Sequence, residues 1–273
     1  LMPEPGRDRA LTVSSPQTTG LLGGEWCAFG AEGELPGDQR VDDGRSLIFD
    51  SDPLEEPFEI LGAPCVTLEI AADRPAAMIA VRLNEVLPDG ASTRVTYGLL
   101  NLTHRDSHAE PQPLEPGKRY RIEVRLKDIA HSFAVGNRIR LAISTGYWPI
   151  AWPSPEPVML TLATGAAALD LPVRPAREAD DDLRPFEAPA SGPRDGIESL
   201  RPHPFQRTVE IDLASNETVY TWRNGGDLGD AALARVSAIN LDIGSSFLKR
   251  YRISEDEPLT ARTELVQRIM MRR

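Results

Sequence analysis

Tyr120-Arg121-Ile122-Glu123-Val124-Arg125-Leu126 alternates apolar and polar side chains at every step. A period of two places Ile122, Val124 and Leu126 on one face of a strand and the charged residues on the other. Pro116-Gly117 precedes the run and reads as a turn, since Pro presets φ and Gly accepts positive φ. The same pattern recurs on both sides. Upstream lie Ser46–Phe49, Pro64–Ile70 and Ile79–Leu83, the last continuing to Val86-Leu87. Pro88-Asp89-Gly90 then supplies turn chemistry ahead of Thr93–Leu100, so these two runs predict a hairpin. Downstream lie Arg138–Ser144, Val158–Leu162 and Ala168–Val173. About eight short strands bounded by Gly, Pro, Asn or Asp predict an all-β sandwich or jelly roll over residues 1–173.

From residue 174 to 205 the character changes. Glu178-Ala179-Asp180-Asp181-Asp182 is acidic, and Pro185, Pro189, Pro193, Pro202 and Pro204 crowd the segment. It reads as a linker or as an extended strap, docked through Leu183, Phe186 and Ile197. Residues 206–273 read as a β-rich C-terminal extension. Thr208–Leu213 alternates, Ser215-Asn216 turns, Thr218–Trp222 follows, Asn224-Gly225-Gly226 turns again, and Lys249–Ile253 is a further strand. Thr260–Arg273 fits either a helical stripe (Leu265, Ile269, Met270) or a strand alternation (Thr263, Leu265, Gln267).

Composition excludes several functions. Of the 273 residues, 41% are hydrophobic, enough to bury a core, and 24 are prolines, which disfavour long helices. The net charge of −11 argues against nucleic acid, whose phosphates call for clustered Lys and Arg. No stretch reaches the roughly 18 apolar residues of a membrane span, and the first residues lack the basic start and apolar run of a signal peptide. Leu1 precedes the first Met, so a chain cut from a longer one is expected. Cys27 and Cys65 are too few for a disulfide framework and read as free buried thiols. The expected location is the cytoplasm.

Catalytic motifs are absent from the sequence. There is no Gly-x-Ser-x-Gly, whose tight turn exposes a nucleophile, and no HExxH, Walker loop or GxGxxG. No cofactor is expected. The four histidines are His104, His108, His131 and His203. His104 and His108 have an i, i+4 spacing that converges on a metal only in a helix. In a loop the two should separate, with Asp106 accepting hydrogen bonds from neighbouring His, Arg or backbone donors. No metal site is expected. Tyr147-Trp148-Pro149-Ile150-Ala151-Trp152-Pro153-Ser154-Pro155 holds two tryptophans among three prolines. Exposed and coplanar, Trp148 and Trp152 would stack on sugar rings; otherwise they plug the end of the sandwich or an adjoining domain. The loop Gly20-Leu21-Leu22-Gly23-Gly24-Glu25-Trp26-Cys27-Ala28-Phe29-Gly30 is unusually apolar and is a candidate for facing a pocket or interdomain surface.

Five ordered motifs carry a resemblance. Ser46–Glu56 is similar to the opening of the C-terminal domain of X-Pro dipeptidyl-peptidases and CocE/NonD hydrolases. Ile60-Leu61-Gly62-Ala63-Pro64 follows as in that family. Arg82–Gly90 resembles its hairpin, Thr93–Arg105 its next strand, and Gly136–Leu141 with Trp148–Pro157 its later segments. The resemblance is dense over residues 38–162, thins over the linker, and returns at Arg250–Ile253 and Asp256–Ala261. It implies a jelly roll, galactose-binding-like, that packs beside an α/β-hydrolase catalytic domain of the same polypeptide. That domain would carry the Ser, Asp and His upstream, so no catalytic residue is assigned here. Leu21, Leu22 and Trp26, just ahead of Asp38-Gln39-Arg40, would then line a pocket or interface, together with Trp148 and Trp152. Self-association as a homo-oligomer is a further expected partnership. The competing readings are a carbohydrate- or ligand-binding jelly roll and a purely structural interaction domain.

Overall fold

The computed structural model describes the chain apart from residues 1–8, 29, 31–32, 176, 181, 191, 193–195, 203–204 and 226–231. His203, Asp181, Pro193, Pro204, Gly226 and Phe29, each part of a reading above, lie outside the described residues. The chain divides into two compact units, residues 1–175 with 253–261, and residues 176–252 with 262–273.

The first unit contains β1 (Ala10–Val13), a single helical turn α1 (Arg40–Asp43), and then β2 (Leu47–Asp50), β3 (Phe58–Gly62), β4 (Cys65–Ala72), β5 (Met78–Val86), β6 (Ser92–Asn101), β7 (Arg119–Arg125), β8 (Ile129–Phe133), β9 (Arg138–Ser144) and β10 (Leu160–Asp170). One antiparallel sheet runs β1-β10-β4-β7, a second runs β2-β9-β5-β6, and β3 pairs with β8. The alternation in β4 places Val66, Leu68, Ile70 and Ala72 inward. Ile122 and Val124 of β7 join them, and from the other sheet come Ile79, Val81, Leu83, Leu141 and Ile143, all in one core. Two sheets sharing one apolar interior make a β-sandwich. Each fully buried Leu, Ile or Val contributes about 1.5–3 kcal/mol. The hairpin at Pro88–Gly90 forms, closed by Leu87 N–H donating to Ala91 O at 2.9 Å.

The structure differs from the sequence reading in three places within this unit. Leu160–Leu162 and Ala168–Asp170, from two runs read as separate strands, belong to one strand, β10, whose pairing with β4 shifts register between Ala163 and Ala168. An irregularity inside a strand looks like a break when only side-chain period is read. The strands β1, β3 and β8 were not separately predicted; each has five residues or fewer. Cys27 is exposed rather than buried, because its loop lies at the surface, while Cys65 is half-buried.

The second unit holds β11 (Ile197–Arg201), β12 (Phe205–Asp212), β13 (Glu217–Asn224), β14 (Ala232–Val236), β15 (Leu241–Ser254) and β16 (Arg262–Arg272). Their order is β11-β14-β15-β13-β12, with β16 also on β15. The C-terminal segment is thus a strand. Thr263, Leu265 and Gln267 oppose Tyr251, Lys249 and Phe247 of β15. Trp222 packs edge-on against Phe205 and Phe247, at 5.6 and 5.0 Å between ring centres. The stretch read as a linker contributes β11, and Leu183, Phe186 and Ile197 are exposed.

Candidate functional site

In β5 the inward residues are Ile79, Val81 and Leu83, so Ala80, Arg82 and Asn84 point to the outer face of their sheet. Simple alternation leaves such residues in solvent, yet all three are fully buried. The described part of residues 15–46 lies over Arg82 and Asn84 through Gln39, Asp42, Asp43 and Ser46, and Tyr147 packs with Ala80. Arg82 is the centre of the arrangement. Its Nη2 donates to the Ser46 hydroxyl at 2.6 Å and to Asp42 O at 3.1 Å, and its Nη1 donates to Gln39 Oε1 at 3.4 Å. The carboxylates of Asp42 and Asp43 stand 4.0 and 3.4 Å from the guanidinium.

Each aspartate has a second task. Asp42 accepts from the backbone N–H groups of Gly20 at 3.0 Å and Leu22 at 3.2 Å. Asp43 accepts from Asn84 Nδ2 at 3.0 Å, Ser92 Oγ at 2.7 Å and Arg140 Nη1 at 3.1 Å. Arg140 also grips Asp50 through two bonds of 2.7 Å. These bonds, from Asp50 first and Asp43 with it, raise the pKa of Arg140 further and keep it charged. A charge taken from water is costly unless paired and fully hydrogen-bonded. Here two buried aspartates on one helical turn pair the guanidinium and join the covering segment to the sheet, while Arg82 Nε and Asn84 Oδ1 are left without a hydrogen-bond partner among the described residues.

The β5–β6 register explains a second set of contacts. Leu83 pairs with Thr96 and Asn84 with Arg94, leaving Val95 unopposed. This bulge puts both Arg94 and Tyr97 on the outer face, although an odd spacing would ordinarily separate them. Arg94 lies over the Tyr97 ring at 4.5 Å, donates to Gly23 O at 2.6 Å, and donates to the Tyr147 hydroxyl. Trp148 N–H donates to Thr19 O at 2.7 Å. Gly20 is required at that contact. Its φ is +111°, and a Cβ there would stand 2.8 Å from Tyr147 C and 2.9 Å from Trp148 N. The start of the covering segment is held by Glu255, which accepts from the N–H groups of Gln17 and Thr18 and from the Thr18 hydroxyl.

The residues singled out from sequence fall into two groups. Leu21 and Leu22 are half-buried on the covering segment, and Trp26 is 73% exposed. Trp148 is 1% exposed, whereas Trp152 is 51% exposed. The pair of solvent-facing indoles that a sugar-stacking face needs is therefore not formed. Sequence reasoning missed Arg82, Asn84, Asp42 and Asp43. Their available signal was two polar residues on one face of an otherwise apolar strand.

Nothing in this arrangement activates a nucleophile. Among the described residues no serine, threonine or cysteine hydrogen-bonds to a histidine, and no group of three or more His, Cys, Asp or Glu side chains is placed to hold a metal ion. The pKa of the Cys65 thiol is pushed up to about 11, first by burial and then by Glu123, which disfavours the nucleophilic thiolate. In the second unit a cavity of about 420 Å³ is lined by Arg223, Arg250 and Arg252 with polar neighbours. Arg250 and Arg252 are already paired with Glu264 and Glu217. No helix among the described residues is long and apolar enough to cross a membrane.

Comparison with known proteins agrees with an all-β sandwich. Residues 5–179 match the model of the X-Pro dipeptidyl-peptidase C-terminal non-catalytic domain, and the chain belongs to that family. It is similar to cocaine esterase of Rhodococcus sp. (strain MB1 Bresler), with 24% identity over 116 residues, 42% of this chain and 20% of the esterase. Among solved structures it resembles an α-amino acid ester hydrolase, with 21% identity, a TM-score of 0.53, and coverage of 61% of this chain and 32% of that one. An aminopeptidase from a marine sediment archaeon (Thaumarchaeota archaeon) gives 18% identity and a TM-score of 0.55, covering 62% of this chain and 34% of that one. Those structural likenesses concern the fold. The chain spans a fifth of the esterase and about a third of each solved structure.

Proposed function

We propose that this chain is the accessory domain of a CocE/NonD-type serine hydrolase, packing on an α/β-hydrolase domain of the same polypeptide and narrowing access to its substrate pocket. The observation that carries this reading is the covering segment. It bears solvent-facing Trp26 and Leu35, yet its backbone is tied to the sheet by the buried Arg82–Asp42–Asp43 network. An apolar, preorganised surface on an otherwise well-buried sandwich suits a stable partner, since ordering costs are already met. Trp152 extends the set of exposed aromatic groups. The exposed free thiol of Cys27 is in keeping with a reducing, cytoplasmic setting.

The test compares two polypeptides on p-nitrophenyl acetate and an X-Pro anilide: this 273-residue chain, and one extended N-terminally through a Gly-x-Ser-x-Gly domain. The expected result is an inactive short chain and an active long one, with Trp26→Ala in the long chain changing KM. Serine-dependent turnover by the short chain would overturn the reading. So would a Trp26→Ala variant with unchanged kinetics and unchanged association between the domains.

A further inference from the structure

His104 and His108 were expected to separate because their segment is a loop. Instead their Nδ1 atoms stand 3.4 Å apart, with ring centres at 5.5 Å and planes inclined by 42°. The loop that holds them is stapled at both ends. Leu102–His104 forms a 3-10 turn capped by Asn101, whose side chain accepts from Thr103 N–H at 3.1 Å. Gln112 N–H donates to Thr103 O at 2.7 Å, closing the loop. Arg105 donates from Nη1 to Leu102 O and Gln112 O, at 3.1 and 2.8 Å, and lies over the Tyr120 ring at 4.3 Å. Ser107 Oγ accepts from Ala109 and Glu110 N–H groups, which turns the chain back so that His108 reaches His104.

The separation itself is informative. An N–H···N hydrogen bond is ordinarily about 2.7–3.2 Å long, so 3.4 Å is long for a bond between the rings. Two nitrogens bound to one tetrahedral ion at about 2.0–2.1 Å stand about 3.3–3.4 Å apart. The observed distance has that value. His104 is half-buried and His108 exposed, so an ion can reach both from solvent. Asp106 is turned away to Arg105, at 3.2 Å from its Nε. The remaining histidine of the described residues, His131, is engaged with Glu85.

We propose that His104 and His108 form a two-histidine site for a divalent transition-metal ion. Nδ1 of each neutral ring ligates, and water completes the coordination. Imidazole pairs select copper, nickel and zinc over calcium or magnesium. With two protein ligands the site is exchangeable, and its open positions suit a further ligand from outside the chain. This proposal is independent of the accessory-domain reading.

The test uses the 273-residue chain without a histidine tag, titrated at pH 7.5 with NiCl₂ and separately with ZnCl₂. Calorimetry gives affinity and stoichiometry, and long-range ¹H–¹⁵N spectra of the imidazoles identify the ligating nitrogens. The expected result is one equivalent bound, with the Nδ1 signals of His104 and His108 moving together. His104→Asn and His108→Asn should each lower zinc affinity by at least about tenfold, with the thermal midpoint unchanged. Absence of stoichiometric binding overturns the proposal. So does binding that persists in both variants or shifts only other histidines. If either variant unfolds, the spectra of the unsubstituted chain decide alone.

Discussion

Arg82 and Asp43, on a central strand and on a single helical turn, stand 3.4 Å apart with both side chains fully or almost fully buried. They face no solvent, so each charge depends on the other and on its hydrogen bonds. Among the described residues, removing Arg82 leaves buried Asp42 without a cationic partner and Asp43 with Arg140 alone, and breaking a buried pair costs about 3–5 kcal/mol. Arg82→Met should therefore lower the urea-unfolding free energy by about that amount. A loss below about 1 kcal/mol would mean that water reaches the two aspartates.

Gly20 meets the backbone of Tyr147 and Trp148 at a distance where a methyl group has no room, and its φ is +111°. Gly20→Ala combines a strained dihedral with a clash against rigid main chain, at a cost of about 1–3 kcal/mol or more. The expected outcome is a lower thermal midpoint together with faster proteolysis within residues 15–46. Unchanged cleavage there would show that the segment is not held at this contact.

Glu85 should make stability depend on pH. Burial by itself raises its pKa, but the side chain of Asn137, the N–H of Ala134 and His131 all donate to the carboxylate and hold it below its ordinary value of 4.5. A depressed carboxyl contributes stability that is fully present above its unfolded-state value and lost as pH falls through the folded one. Urea midpoints should therefore be steady down to about pH 4.5 and then drop. Glu85→Gln should flatten that drop and lower stability at pH 7 by about 1–3 kcal/mol. An identical pH profile in the variant would remove Glu85 as the source.

The two tryptophans of the Pro-rich loop should behave oppositely. Trp148 is 1% exposed and Trp152 51% exposed. Trp148→Ala is expected to cost about 3–5 kcal/mol, whereas Trp152→Ala should stay within about 0.5 kcal/mol. Chemical denaturation of the two variants checks both values. Equal losses would mean that Trp152 packs against structure as tightly as its neighbour does.

Much of the sandwich was legible because its determinants are local. In β4, β7 and β9 the side-chain period, with bounding Gly and Pro, marks the strands to within a residue or two. The hairpin at Pro88–Gly90 was readable for the same reason. The candidate site was far less so. Arg94 and Tyr97 reach one face only through the Val95 bulge, which is a property of pairing between strands. His104 and His108 come together because Arg105 and Gln112 close their loop, and neither contact follows from an i, i+4 spacing.

The amino-acid sequence by itself determined an all-β chain, an apolar interior for two facing sheets, the lack of a Gly-x-Ser-x-Gly nucleophile and a family resemblance that residues 5–179 bear out. Periodicity and turn chemistry act over a few residues, so they survive without knowledge of partners. Only the tertiary structure decided that Arg82 and Asn84 are buried rather than solvated, that Trp148 is covered while Trp152 is not, and that Asp43 meets Asn84 across 41 residues of chain. Burial of a polar side chain depends on what lies over it, and for the outer face of β5 that cover is Gln39, Asp42, Asp43 and Ser46 with Tyr147, from separate stretches of chain whose positions no local pattern encodes.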